Sequence, residues 1–352
     1  MSRDGRPARE PSKLEYPFSD PPKPGQTRQV TDGVHWLRVP MPGRLDHINS
    51  WLLEDGDGFT VIDTGMNDDM ARQAWEQAFD GVLKGKRITR VVSTHLHPDH
   101  IGLAGWLCER FGCELWMSRT DFLMCRALVS DTGRPAPEVA LRFFQAAGLS
   151  KESIETYRQA FGRFGQMIYR LPDSYRRLQE GQHLNIGSRE WQILVGRGHA
   201  PEHICFYSPA RNLMVSGDQI LPRISSNVSV FPQEPEGNPL AEWLESCRRF
   251  KDFLPADTLI LPAHHDAFRG ARTRLAALIA EHEENLATLI EACRTPKRAV
   301  DTFALLFRSK IEGPVAMAAA GEAIAHLNYL MQQGRMARST DKDGVHWYQT
   351  RA

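Results

Sequence analysis

Four strand-like apolar runs in this sequence each lead to a side chain that binds metal ions well. The runs begin at Val91, Trp191, Leu213 and Leu259, and they lead to His95, His199, Asp218 and His264, respectively. Side chains that follow the carboxyl ends of several strands converge on one rim of the sheet in α/β proteins. The sequence therefore predicts an α/β fold with a polar site at one sheet rim.

The densest polar cluster is the run from Thr94 to His100. It places three imidazoles and one carboxylate within six residues, namely His95, His97, Asp99 and His100. An apolar core disfavours such a cluster because unpaired polar groups lose their solvation there. Histidine and aspartate suit Zn²⁺, Fe or Mn, and the lack of a nearby cysteine argues against a closed structural zinc site. We therefore expect an open metal site of the catalytic type.

The remaining sequence predicts three regions. Residues 1–28 contain six prolines, which predict an extended N-terminal arm. Residues 29–296 begin with the short strand patterns of a β-meander between Val34 and Ile62, after which helical and strand patterns alternate. At about 120–178 the helical spacing of large apolar residues predicts an insert. It either packs on the sheet or forms a pocket wall or lid over the rim.

Residues 297–352 predict a small C-terminal domain with two helices, over Asp301–Arg308 and Val315–Gln333, followed by a hairpin. Helices followed by a hairpin resemble a winged helix. The second helix offers few side chains that could contact base edges or phosphates. We therefore expect this segment to pack on the main domain or on a second subunit, as in a homodimer, and not to bind nucleic acid.

Composition limits the partners further. Lys and Arg total 43 and equal the 43 Asp and Glu, so no net charge attracts the protein to nucleic acid or to anionic membranes. No apolar run reaches the roughly 20 residues of a membrane-spanning helix. Residues 1–24 lack the apolar stretch of a secretory signal, which predicts a cytoplasmic protein. The six cysteines form no CxxC pair, so we expect free thiols.

The polar motifs together resemble the signature of the metallo-β-lactamase fold superfamily over about residues 30–290. The matching motifs are the HxHxDH run at 95–100, Asp63-Thr64-Gly65, Gly198-His199, Ser216-Gly217-Asp218 and Pro262-Ala263-His264. The resemblance implies an αββα sandwich with a dinuclear site on one rim of its two sheets.

The resemblance also implies a role for each residue of the motifs. The first metal would be held by His95, His97 and His199, the second by Asp99, His100 and His264, and Asp218 would bridge the two ions. Asp99 and Asp218 are the catalytic carboxylates in this assignment. Asp63 would orient the metal-binding loop, and His203 would lie behind the ligands. Zn²⁺ is the expected metal, with Fe and Mn as alternatives.

The sequence departs from the family pattern at three places. Ala263 replaces the usual glycine before the last ligand, and His265 follows His264 as an alternative ligand. The insert lengthens the gap between His100 and His199. His47 either faces the site or is an ordinary loop histidine.

The ligand set separates the reactions known for the superfamily. Antibiotic-hydrolysing members have Cys or Ser at the position of Asp218, so the resemblance argues against a β-lactamase. It implies a metal-dependent hydrolase in which a bridging hydroxide attacks the ester, thioester or lactone carbonyl of a small acyl substrate. A nuclease or phosphodiesterase is the alternative. A di-iron oxidoreductase fits less well because no GxGxxG loop follows a strand.

Overall fold

The structure, a computed structural model, describes residues 14–43, 45–313 and 315–351. The first half of the predicted N-terminal arm, residues 1–13, lies outside the described residues. Within the arm, Glu15 forms a backbone bridge to Arg269 on the main body.

The first sheet begins with the predicted meander. Its described strands run in chain order: β1 (Thr27–Thr31), β2 (Val34–Pro40), β3 (His47–Asp55), β4 (Gly58–Ile62), β5 (Arg87–Val92), β6 (Glu114–Met117) and β7 (Arg176–Arg177). Strands β1 to β4 pair antiparallel, whereas β4 to β7 pair parallel. The parallel strands β4 and β5 therefore end at the same edge, where Asp63 and His95 follow them.

The second sheet has the spatial order β13-β12-β11-β10-β9-β8. Its strands are β8 (His183–Ile186), β9 (Arg189–Gly196), β10 (His203–Ser208), β11 (Leu213–Gly217), β12 (Leu259–Pro262) and β13 (Phe268–Arg269). Strands β11 and β12 are parallel, so Asp218 and His264 follow their carboxyl ends at one edge. The predicted convergence of strand ends is present in both sheets.

Ten α-helices occur in the described part of the chain. They are α1 (Asp69–Asp80), α2 (Pro98–Ile101), α3 (Ala104–Phe111), α4 (Arg119–Ser130), α5 (Glu138–Ala146), α6 (Lys151–Ala160), α7 (Pro239–Phe253), α8 (Ala271–Ala292), α9 (Phe303–Leu306) and α10 (Val315–Gln332). Short 3₁₀ turns lie at Phe164–Gln166, Pro209–Arg211 and Ala299–Thr302. None of the helices described has the length and apolar character needed to cross a bilayer.

The core has three apolar layers. Trp36 of β2 packs with Trp191 and Phe206 of the second sheet, so this layer lies between the sheets. Leu37 points the other way and packs with Trp75 of α1. Neighbouring residues of β2 are both buried because both faces of the sheet are covered. Helices α7 and α8 cover the outer face of the second sheet, and the predicted α/β sandwich is confirmed.

The C-terminal segment contains the 3₁₀ turn, α9, α10 and a hairpin of β14 (Met336–Thr340) and β15 (His346–Thr350). The predicted helix over 301–308 is shorter than expected, because Phe307 adopts an extended backbone with φ −114° and ψ 136°. Leu327 and Leu330 of α10 belong to the same apolar cluster as Trp243 of α7. The segment therefore packs on the main body. The predicted boundaries at 28 and 296, and the winged-helix comparison, stay predictions.

Candidate metal centre

The loop after β5 and the loops after β9, β11 and β12 bring the predicted ligands into two adjacent groups. The first group contains His95, His97, His199 and Asp218, with one donor atom of each within 4.8 Å of the others. The second group contains Asp99, His100 and His264 under the same limit. All seven candidate ligands therefore meet at one rim of the sandwich.

The first group presents nitrogen lone pairs to a common point. Nε2 of His95 lies 2.8 Å from Nδ1 of His97 and 3.3 Å from Nε2 of His199. Burial, with the surrounding imidazoles, holds the pKa of His95 well below its ordinary value. Burial and His199 lower the pKa of His97 to about 3. Both rings are therefore neutral at pH 7, which is the form that binds a metal ion.

The second group mixes imidazoles with carboxylates. Oδ2 of Asp99 lies 3.3 Å from Nε2 of His264 and 3.5 Å from Nε2 of His100. Burial alone would lower the pKa of His100, but the carboxylates of Asp99, Asp63 and Asp218 outweigh it and raise that pKa well above its usual range. The carboxylates here are thus arranged to stabilise positive charge.

Asp218 contacts both groups. Its Oδ2 lies 3.3 Å from Nε2 of His199 and 3.5 Å from Nε2 of His100, and its Oδ1 lies 3.5 Å from Nε2 of His264. Oδ1 of Asp218 and Nε2 of His100 are both buried, and neither has a hydrogen-bond partner in the part of the chain described. Buried polar atoms without partners are costly. Divalent cations between the groups would satisfy them, so the donor set fits the two metal ions that the sequence predicts.

The strand before Asp218 ends in a tightly packed glycine, where any side chain would force His203 to move. Gly217 has a φ of +51°, and a Cβ atom built there would lie 2.5 Å from Cε1 of His203. Only a residue without a side chain permits this close approach. The glycine therefore lets the Asp218 loop lie directly against His203.

His203 lies outside both groups. It is fully buried, and its Nε2 accepts a hydrogen bond of 3.0 Å from the backbone N–H of Asp218. Its ring stacks on His95 with a centroid distance of 4.8 Å. The structure thus places His203 behind the candidate ligands, where it fixes the backbone that carries Asp218.

Asp63 connects the end of β4 to both groups. Its carboxylate accepts hydrogen bonds from the backbone N–H of Thr94 (2.8 Å), the hydroxyl of Thr94 (2.9 Å) and Nδ1 of His100 (2.8 Å). The Thr94 hydroxyl in turn lies 3.0 Å from Nδ1 of His95. When these Nδ1 atoms carry the proton, the Nε2 atoms of His95 and His100 are free to bind a metal.

His264, not His265, belongs to the second group among the described residues. Nδ1 of His264 donates to the backbone carbonyl of His47 at 2.9 Å, which leaves Nε2 for the site. The backbone N–H of His265 donates to Nε2 of His47 at 3.2 Å. His47, the first residue of β3, therefore supports the loop that carries His264.

A buried carboxyl group in α4 was not predicted from the sequence. Asp121 accepts hydrogen bonds from the backbone N–H groups of Leu96 (3.1 Å) and Glu202 (2.9 Å), so it joins the loops that carry His97 and His199. Burial raises the pKa of Asp121 to about 6. The available signal was Ser118 followed by an acid three residues later, which is typical of a helix N-terminus.

A sequence model of the metallo-beta-lactamase superfamily matches residues 43–264, which include all seven candidate ligands. The chain belongs to the metallo-β-lactamase superfamily. A second model, of the metallo-beta-lactamase-like C-terminal domain, matches residues 286–351.

Similar proteins agree with this family. A crystal structure of a beta-lactamase domain protein from Burkholderia ambifaria is 40% identical, with a TM-score of 0.89 over 96% of this chain and 98% of that one. The probable metallo-hydrolase YqjP of Bacillus subtilis is 26% identical over 67% of this chain and 72% of its own length. The acyl-coenzyme A thioesterase MBLAC2 of Bos taurus is 22% identical over 71% of this chain and 85% of its own length. The chain is thus a superfamily hydrolase with a His/Asp cluster suited to divalent metals.

Proposed function

We propose that the protein hydrolyses an ester, thioester or lactone with the help of two divalent metal ions, and that these ions are Zn²⁺. The observation that carries the proposal is the position of Asp218, which contacts His199 of the first group and His100 and His264 of the second. In this assignment Asp218 would hold both ions, and Asp99 would hold the second ion.

Divalent ions at such a site lower the pKa of bound water toward about 7 and polarise a carbonyl oxygen. The residues of the chain supply the rest. Asp63 fixes the orientation of His100 through the 2.8 Å hydrogen bond to Nδ1, and the carbonyl of Asn227 accepts the Nδ1 hydrogen bond of His199 at 2.7 Å. These contacts hold the ligand nitrogens in place before a substrate arrives.

The candidate ligands of both groups are histidines and aspartates, and no cysteine is among them. We therefore propose direct attack by water without a covalent acyl-enzyme. The thioesterase activity in the name of the Bos taurus relative supports a carbonyl substrate. Antibiotic-hydrolysing members have Cys or Ser at the position of Asp218. The aspartate here therefore argues against a β-lactam substrate.

The test is a substrate panel with protein reconstituted in Zn²⁺. We expect hydrolysis of simple esters, thioesters or lactones, loss of activity with a chelator, and recovery when Zn²⁺ is restored. Rapid-quench kinetics should show no product burst equal to the enzyme concentration. Hydrolysis of a phosphodiester with no activity on any carbonyl substrate would contradict the proposal and favour the nuclease alternative.

A further inference from the structure

A cavity of about 700 Å³ opens beside His199 and is not explained by metal binding. One wall is a single face of α4 and its C-cap Asp131, since Met124, Ala127, Leu128 and Asp131 recur at the i, i+3, i+4 and i+7 spacing of a helix. The helical insert at about 120–178 therefore lines this cavity, in agreement with the second of its two predicted roles, a pocket wall.

The other walls come from the loops around the candidate ligand. Ala200 and Pro201 continue from His199, and Val230 and Phe231 also line the cavity. Phe231 is 45% exposed although it is a large aromatic residue. An apolar cavity next to a reaction centre is the ordinary place for the non-reacting part of a substrate. The walls thus suit an apolar acyl group.

The charges of the lining are unequal. Its carboxyl groups belong to Asp131, Glu202, Glu234 and Glu242, whereas its basic side chain is Arg197. Burial and the carboxylate of Glu234 raise the pKa of Glu242, although Arg197 opposes the shift. Asp131 is paired with Arg134 at 2.6 Å. Glu234 and Glu242 are close enough to interact, so together they would repel an anion that enters the cavity.

We propose that this cavity binds the acyl portion of the substrate and selects an apolar group that is uncharged or ends in a cation, while it rejects one that ends in a carboxylate. This inference rests on the proposed function and adds the substrate class to it. The physical reason is that an anionic tail would lose its hydration among carboxylates, whereas an apolar tail gains burial against α4 and Phe231.

The experiment compares three thioesters of one uncharged thiol, with acyl tails of equal length that end in a methyl, an ammonium or a carboxylate group. We expect the carboxylate tail to have a kcat/KM at least about tenfold lower than the other two. The matching amides, which are intrinsically far less reactive to hydrolysis than thioesters, should show the same order of Kd by calorimetry.

Two variants assign the effect to this cavity. The double variant Glu234→Gln, Glu242→Gln should reduce the difference in kcat/KM between the carboxylate-tailed and methyl-tailed thioesters. Glu312→Gln, which removes an exposed acid outside the lining, should leave the gap unchanged. Ala127→Trp, at an exposed position on α4, should lower kcat/KM for a long neutral tail about tenfold relative to an acetyl group.

Equal kcat/KM and equal Kd for the three tails would overturn the inference and leave the proposed function in place. Amides that bind in the expected order without hydrolysis of any thioester would overturn the proposed function, yet support the assignment of the cavity. A gap that survives the double Gln variant unchanged would overturn the role of these carboxylates.

Discussion

The side-chain amide of Asn227 donates a hydrogen bond of 2.7 Å to the carboxyl group of Glu322. The backbone carbonyl of Asn227 also accepts the Nδ1 hydrogen bond of His199, a candidate metal ligand. Glu322 lies on α10 of the C-terminal segment. Burial raises the pKa of Glu322 to about 7. The C-terminal segment is therefore only one residue away from a candidate metal ligand.

This contact predicts a pH dependence of stability. The raised pKa of Glu322 means that the protonated form favours folding. Its contribution is complete below the unfolded value near 4.5 and is lost as the pH rises through about 7. Glu322→Gln keeps an acceptor for Asn227 without the charge. Relative to wild type, the variant should gain about 2 kcal/mol in free energy of unfolding between pH 5 and pH 8.

Urea unfolding at several pH values, with the metal content held constant, checks this prediction. Glu312→Gln is the control, since Glu312 is an exposed acid paired with Lys310. The prediction would be contradicted if the free energies of unfolding of wild type and of Glu322→Gln changed in parallel across the pH range.

Asp63→Asn should weaken metal binding without unfolding the protein. The amide cannot accept all three hydrogen bonds that the carboxylate accepts from Thr94 and His100. We expect affinity to fall about 10-fold to 100-fold, as is usual when the partner of a ligand histidine is lost. Competition with a chelating dye gives the affinity. Asp57→Asn, an exposed substitution at the opposite end of β4 from Asp63, should retain wild-type affinity.

Asp218→Ala and Asp99→Ala should differ in how many ions they remove. Asp218 contacts members of both groups, whereas Asp99 belongs to the second group alone. Elemental analysis should show losses at both sites for Asp218→Ala and loss of one ion for Asp99→Ala. If Asp218→Ala retained one tightly bound ion, the bridging assignment would be wrong.

The sequence identified the candidate ligands because the signal is local. Each ligand lies in a short motif at the end of an apolar strand, so the strand pattern and the motif together specify the rim. The meander was predictable for the same reason, since period and turn residues are properties of neighbouring positions.

The supporting contacts were not predictable because they join distant segments. Asn227 and Glu322 are separated by 95 positions, and Asp121 and Glu202 by 81. No local pattern marks such pairs. Helix α9 was predicted too long because the apolar side chains around Phe307 fit helical spacing, while the observed backbone is extended there. Tertiary packing decides such short segments.

The C-terminal segment should not bind nucleic acid. Residues 297–352 carry eight basic and five acidic side chains, a small excess. Helix α10 is also covered, because a Cβ atom at Gly321 would lie 2.8 Å from the carbonyl oxygen of Val230. A helix packed this closely cannot enter a major groove with that face. Titration of labelled duplex DNA and single-stranded RNA should show no salt-sensitive binding in the micromolar range. Such binding, abolished by deletion of 297–352, would support a nuclease.

The central claim is that one chain binds two divalent ions through the two groups that Asp218 joins. The direct measurement is the metal content of the protein after metal removal, reconstitution with excess Zn²⁺ and extensive dialysis. We predict close to two ions per chain, because both groups are assembled in the fold. A content of one ion or fewer in folded protein would contradict the account.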